Sequence, residues 1–144
     1  MRKILDNSAV PAKARISALW ASAMFCYIYG DLIGFYIPGG LQRIMDGKFG
    51  FGPVTPILLL GFAVVMSAPA IMVALTLLLK PGAGRWLNVI MGLAETALML
   101  YTMIDAWKFG YAFYIYLGVV EVTLTLLIVW FALSWPRSPE AGRG

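Results

Sequence analysis

Apolar residues along the chain fall into four long segments separated by shorter polar connectors. Each segment runs for about 22 to 25 residues, which as an α-helix rising about 1.5 Å per residue is long enough to cross about 30 Å of hydrocarbon. We therefore predict four transmembrane helices, at residues 16–37, 56–79, 86–107 and 111–135. Together they predict an all-α membrane protein, a single antiparallel four-helix transmembrane bundle over residues 1–144.

The composition agrees with this prediction and excludes a soluble globular protein. The chain is 61% hydrophobic and 12% charged, with a mean hydropathy of +0.83, whereas soluble domains are about a quarter charged. Its net charge of +4 does not indicate a nucleic-acid partner, because the basic residues are scattered among connectors and form no patch. Membrane lipid is the partner that the composition predicts.

Histidine is absent and cysteine occurs once, as Cys26. This excludes histidine-ligated haem, histidine-containing zinc sites and catalytic triads that use histidine. We predict no catalytic residue, no metal site and no cofactor, and an enzyme is the less favoured class of function. Cys26 lies in an apolar segment, where a buried packing role is expected.

The basic residues favour one orientation in the membrane. If the N-terminus is cytoplasmic, eight of the 11 Lys and Arg residues lie inside and three outside, so the positive-inside rule predicts an N-in, C-in protein. The inner set is Arg2, Lys3, Lys13, Arg15, Lys80, Arg85, Arg137 and Arg143, and the outer set is Arg43, Lys48 and Lys108.

The first connector, residues 38–55, is the longest and is rich in glycine, so it cannot form one continuous helix. We expect an ordinary loop. The alternative is a helical turn or two over residues 41–46 that lies at the outer interface and caps a cavity between the spans. In the second span, Pro69 is expected to bend the helix because proline removes one backbone hydrogen bond.

Acidic residues inside the spans are the chemical anomaly of this sequence. Asp31, Glu95 and Glu121 lie in predicted spans, whereas no Lys or Arg does. An ionised carboxylate at a helix centre costs on the order of 2.5 to 3.5 kcal/mol on insertion scales, so these side chains should face the bundle interior. The second span has no acid and is expected to be the most lipid-exposed span or the main subunit contact.

Helical spacing places each acid on a stripe of aromatic, hydroxyl or amide groups. Acids without a basic partner favour a proton, a cation or an amphiphilic amine as ligand, and aromatic rings add cation–π contact. Two carboxylates near the midplane should hold at least one proton at neutral pH, because like charges oppose each other's ionisation. The predicted ligand-binding residues are Asp31, Glu95, Glu121, Tyr27, Phe35, Asn88, Thr102, Tyr114 and Thr125.

The sequence is compatible with three functions. The leading hypothesis is a protein that binds or transports a proton, a cation or an amphiphilic small molecule. The second is a small structural or accessory subunit of a larger membrane complex, or a homo-oligomer, whose acids bond between helices. The third is a membrane enzyme in which Glu95 or Glu121 is a protonated acid acting on a lipophilic substrate. For the GxxxG spacing of Gly30 and Gly34, packing within the chain is expected and dimerisation is the alternative.

Recognisable features are spread over most of the chain: Ala18-Leu19-Trp20, the aromatic-rich run into Asp31, Leu41 with Ile44 and Gly47, Thr55-Pro56, Arg85-Trp86 followed by Asn88, Glu121, and Trp130 with Trp135. In these features the chain resembles an uncharacterised family of small prokaryotic four-span membrane proteins of unknown function. The resemblance implies the prokaryotic cytoplasmic membrane as location and supplies no substrate. Relatives in that family often carry a glutamate in the second span, where this chain reads Met66-Ser67-Ala68-Pro69. In layout alone, the chain also resembles DoxX-like membrane proteins.

Overall fold

The computed structural model describes residues 10–49 and 52–136 of the chain. Four of its helices are long and apolar enough to cross a membrane, and they pack against one another. The predicted all-α four-helix bundle is therefore confirmed. In chain order the helices are α1 (Ala12–Gly34), α2 (Gly40–Met45), α3 (Pro56–Leu78), α4 (Pro81–Lys108) and α5 (Ala112–Leu133). Four basic residues of the predicted inner set lie outside the described residues: Arg2, Lys3, Arg137 and Arg143.

Two spans begin earlier than the apolar segments from which they were predicted. Helix α1 begins at Ala12, directly after Pro11, and α4 begins with Pro81 as its first helical residue. Proline is well suited to this position because its fixed φ matches the helix and the missing N–H has no intrahelical partner there. Hydropathy marks only the apolar part of each span, whereas the helices continue into their polar flanks.

The first connector is more ordered than the ordinary loop that we expected. It contains the short helix α2, in agreement with the alternative prediction, followed by a two-residue antiparallel pairing of β1 (Lys48–Phe49) with β2 (Gly52–Pro53). Gly39 precedes α2 with a φ of 73°, a left-handed conformation that glycine adopts without strain.

The spans pack in the order α3, α1, α5, α4. Helix α1 packs against both α3 and α5, and α5 packs most extensively against α4, whereas α3 and α4 contact each other only weakly. The bundle is therefore closed along three of its four sides. Helix α3 is the least buried span, as predicted for the span without an acid, and it continues through Pro69, which is buried.

The hydrophobic core occupies one half of the bundle, which we call the terminal half because α1 begins and α5 ends there. Since the spans are antiparallel, the same half contains the end of α3 and the start of α4. The opposite half, next to α2, is called the loop half. The core residues of the terminal half are Ile16, Trp20, Met72, Val89, Ile128, Val129 and Ala132.

Glycines lie at the contacts of α5 with its two neighbours, and at Gly92 the missing side chain allows a close approach. At Gly92 of α4, an added Cβ would lie 2.8 Å from Cγ2 of Val129 on α5. Gly30 of α1 is buried, and an added Cβ there would lie 3.7 Å from Cδ1 of Leu117 on α5. The first glycine of the GxxxG spacing therefore packs within the chain, as expected.

Candidate functional site

A cavity of about 270 Å³ lies in the loop half and is bordered by all four spans. Asp31 of α1, Glu95 of α4 and Glu121 of α5 line it together. These acids are far apart in sequence, but the antiparallel arrangement brings the second half of α1 and of α4 level with the first half of α5. We call this space the acidic cavity.

The two glutamates of the acidic cavity are buried and differ in their partners. Glu95 is 6% exposed and accepts a hydrogen bond from the phenol of Tyr27, whose Oη lies 3.2 Å from Glu95 Oε2. Glu121 is 2% exposed, and its buried Oε2 has no hydrogen-bond partner among the described residues. A buried carboxylate oxygen without a partner is costly, so the unpaired oxygen of Glu121 is the most distinctive atom of the cavity.

Asp31 occupies a different position at the same cavity. Its side chain lines the cavity but is exposed on the bundle surface, unlike the two glutamates. Gly30 lies beside it and packs against α5. Asp31 is therefore at the edge of the cavity. Its position in the predicted span, nearer to residue 37 than to residue 16, agrees with this.

No positive charge balances these acids within the described residues. None of the residues that line the cavity is Lys or Arg, and the three carboxylates form no ion pair with any described residue. An ion pair is present at the end of α4, where Lys108 Nζ lies 2.9 Å from Asp105 Oδ1, on exposed side chains. Residues 10–49 and 52–136 also contain no group of three or more Cys, Asp and Glu side chains that could hold a metal ion.

Three other predicted ligand residues also line the cavity. Tyr27 and Tyr114 are half-buried there, and Thr102 lies between the exposed and buried faces of α4. The Thr102 hydroxyl donates to the carbonyl oxygen of Met99 at 2.9 Å within the same helix. The two tyrosine rings supply aromatic surface close to the acids.

Asn88 was predicted to be a ligand residue, but it does not line the cavity. It lies in the terminal half, fully buried, and two of its three described hydrogen bonds link helices. Its Oδ1 accepts from Trp20 Nε1 at 2.7 Å and from Thr76 Oγ1 at 2.9 Å, and its Nδ2 donates to the Gly84 carbonyl at 2.8 Å. Asn88 therefore joins α1, α3 and α4, and both polar atoms of its amide make hydrogen bonds within the buried core.

Phe35 and Thr125 also lie outside the cavity lining. Phe35 directly follows the last residue of α1, Gly34, one turn beyond Asp31 at the cavity edge, and it is 47% exposed. Thr125 is buried one turn below Glu121, where its Oγ1 lies 2.7 Å from that of Thr96 on α4. Its hydroxyl links two helices.

The wall contributed by α3 was missed by the sequence prediction. Phe62, Val65, Met66 and Pro69 all line the cavity, although α3 carries no acid. Pro69 was the one signal available, because a proline within a span deprives the carbonyl four residues earlier, here that of Val65, of its usual amide donor. Helix α2 contributes no lining residue, so the predicted cap over the cavity is absent from the described part of the chain.

Comparison with known families adds one finding. The chain matches a family of unknown function, DUF6326, over residues 3–141. It belongs to this family. DUF6326 membership agrees with the resemblance to four-span membrane proteins of unknown function, whereas nothing supports the likeness to DoxX-like proteins. No curated protein and no solved structure matches the chain significantly. With four helices long and apolar enough to cross a membrane, this DUF6326 chain is an integral membrane protein.

Proposed function

We propose that this protein binds an organic cation, an amine with apolar substituents, in the acidic cavity. The observation that carries the proposal is the lining of one cavity by Asp31, Glu95 and Glu121, with no basic side chain among the described lining residues. Carboxylates in hydrocarbon need a proton or a cation as partner. An ammonium group supplies that charge together with hydrogen-bond donors.

Glu121 is the best candidate for the principal contact. Its buried Oε2 accepts no hydrogen bond from any described residue, whereas one Glu95 oxygen already accepts from Tyr27. An N–H donor of an ammonium group would satisfy the Glu121 oxygen and neutralise its charge at once. Glu95 and Asp31 add negative charge around the same space.

The surroundings of the acids favour an organic cation over a metal ion. Ca²⁺ takes six to eight oxygen ligands, and Mg²⁺ requires near-ideal octahedral oxygen geometry, whereas apolar and aromatic side chains form most of this cavity's wall. The rings of Tyr27 and Tyr114 can make cation–π contacts with an ammonium group. The volume of about 270 Å³ lies just below the roughly 300 Å³ at which drug-sized pockets begin, so a small amine head fits better than a bulky one.

Titration with n-butylammonium of the purified protein in lipid nanodiscs tests the proposal. Glu121→Gln keeps the shape of the side chain and removes its charge, so we expect the affinity to fall about tenfold or more, as the loss of a charge-assisted hydrogen bond does. Glu95→Gln should have a smaller effect in the same direction. Asp105→Asn is the matched control, because Asp105 lies on α4 in an exposed pair with Lys108 and should leave binding unchanged.

The alternatives lead to different results. A structural subunit predicts that Glu121→Gln and the wild type behave alike, or that the wild type binds no member of a panel of primary, tertiary and quaternary amines. Either result would refute the binding proposal, provided that thermal unfolding shows both proteins to be folded. An enzyme predicts a chemical change in a bound lipophilic compound, which mass spectrometry of extracted lipid detects.

A further inference from the structure

The acidic cavity is least tightly closed on the side between α3 and α4, where the two helices contact each other only weakly. Both helices line the cavity. A side-chain hydrogen bond joins them from Thr76 to Asn88, and it lies in the terminal half. The weak contact between the two helices, together with the position of this bond, points to a gap between them in the loop half, where the cavity lies.

The residues on the two sides of this gap line the cavity and are also exposed on the bundle surface. Val65 and Met66 of α3 are 38% and 43% exposed, and Leu98 and Tyr101 of α4 are 39% and 58% exposed. These four side chains lie both in the cavity lining and on the outer surface of the bundle, and they flank the side on which α3 and α4 contact each other only weakly. They therefore mark a lateral opening of the cavity. We call it the α3–α4 cleft, defined by these four residues.

Polarity changes from the cleft to the cavity interior. The cleft side chains are apolar apart from the Tyr101 hydroxyl, whereas Glu95 and Glu121 lie deeper and are buried. In a membrane this side of the bundle faces acyl chains, where water is scarce. The arrangement therefore matches a molecule with a cationic head and a hydrocarbon chain, with the head at the glutamates and the chain directed towards lipid.

We propose that the ligand is a long-chain alkylamine dissolved in the bilayer, which enters the cavity sideways through the α3–α4 cleft and leaves its hydrocarbon chain between the two helices. This inference rests on the proposed binding of an amine at Glu121. It adds the route of entry and the chemical class of the ligand.

A second copy of the chain is a poorer occupant of the cleft. Helices in lipid gain no hydrophobic energy from association, so their interfaces depend on small residues that allow close backbone approach. The cleft presents Met66, Leu98 and Tyr101, which are large, and its interior carries acids that a second acid-bearing copy would not neutralise. Charge complementarity favours a cationic head group.

Added bulk in the cleft tests this route. Met66→Trp and Leu98→Trp are titrated in nanodiscs with n-hexadecylammonium, whose chain exceeds the cavity, and with n-butylammonium, which fits inside it. Each substitution should weaken hexadecylammonium binding about tenfold more than it weakens butylammonium binding, because only the long chain has to displace the indole from the cleft. Ile71→Trp on α3 and Ile90→Trp on α4 are matched controls at exposed positions outside the cleft, and should change neither.

The outcomes separate this inference from the proposed function. If both amines bind the wild type and lose affinity in Glu121→Gln, but the cleft variants bind hexadecylammonium normally, lateral entry is wrong and amine binding stands. Equal weakening of both amines by the cleft variants also contradicts lateral placement of the chain, since the indole would then act inside the cavity. If the wild type binds neither amine, the proposed function fails and the entry route fails with it.

Discussion

Tyr27 on α1 donates a hydrogen bond to Glu95 on α4 across the acidic cavity, with Oη 3.2 Å from Oε2. The bond joins two helices that are not packing neighbours, since α5 lies between them in the packing order. One glutamate is thereby held in place, while Glu121 on α5 keeps a buried oxygen that has no hydrogen-bond partner in the described part of the chain. The two acids are unequal for that reason, although the sequence presents them as equivalent.

Removal of the Tyr27 hydroxyl should loosen the bundle only slightly. Tyr27→Phe keeps the ring and loses one interhelical hydrogen bond, so we expect the free energy of unfolding to fall by about 0.5 to 1 kcal/mol. Thermal unfolding in detergent measures the change. Tyr29→Phe, at a position of α1 that is 56% exposed, is the control and should be neutral. A loss above about 3 kcal/mol would mean that the bond carries much more of the fold than a single hydrogen bond does.

Amine binding should strengthen as the pH rises. A proton and an ammonium group compete for the same carboxylates, so protonation at low pH removes the charge that attracts the cation. The groups that face Glu121 in the cavity are Asp31 and Tyr27 from α1, Glu95 from α4 and Tyr114 from its own helix. Titrations of n-butylammonium between about pH 5 and about pH 9, where a primary alkylamine such as the lysine side chain stays protonated, should show this rise in the wild type.

The same pH series on Glu121→Gln provides the control. The charge of n-butylammonium does not change over this range, so any pH dependence comes from the protein. The rise should become shallower in Glu121→Gln and stay unchanged in Asp105→Asn. A wild-type affinity that is constant over this range would contradict competition between protons and the ligand.

Asn88 should matter for stability and not for binding. Asn88→Ala leaves the buried Trp20 Nε1 without its acceptor at 2.7 Å, which costs about 1 to 3 kcal/mol of unfolding free energy. Amine affinity should stay at the wild-type value, because Asn88 lies outside the cavity. Ser67→Ala, which removes a hydroxyl bonded only to Val64 within its own helix, should change neither quantity. A selective loss of binding in Asn88→Ala would restore the ligand role predicted from the sequence.

Close packing of α4 against α5 should make Gly92 intolerant of a methyl group. In Gly92→Ala the new Cβ would lie 2.8 Å from Val129 Cγ2 and 3.3 Å from the Thr125 carbonyl oxygen. We expect a loss of about 1 to 3 kcal/mol in the free energy of unfolding. Gly61→Ala in α3 meets no atom within 4 Å and should be neutral or stabilising by up to about 1 kcal/mol, because alanine is the better helix former. Equal stability of the two variants would contradict the close contact.

The orientation of the bundle stays a prediction that labelling can test. Lys80 lies at the same end as the start of α1, and Lys48 lies in the connector at the other end. In a Cys26→Ala background, a membrane-impermeant maleimide should label Lys48→Cys in intact cells and should label Lys80→Cys only after lysis. The reverse pattern would place the termini outside.

Hydropathy predicted the four long helices, and helical periodicity predicted which residues share a helix face with each acid. Neither pattern predicts the depth along the bundle at which residues of different helices meet. Asn88 shares a helix face with Glu95, yet seven residues separate them, which is about 10 Å along the axis. That distance moves Asn88 from the cavity into the core. Phe35 is also absent from the cavity lining, because it lies one turn beyond Asp31, which is already at the cavity edge. The contribution of α3 was hidden because Phe62 and Val65 are apolar, and an apolar residue in a span carries no sign of which surface it faces.

Packed side chains of the terminal half close one end of the acidic cavity. Between the buried glutamates and the far end of the bundle lie Trp20, Ile128 and Ile16, each with no exposed surface. Protein interiors at this density leave little room for a continuous file of water. In the described conformation, a molecule held at the glutamates would therefore be separated from the terminal end of the bundle by packed side chains.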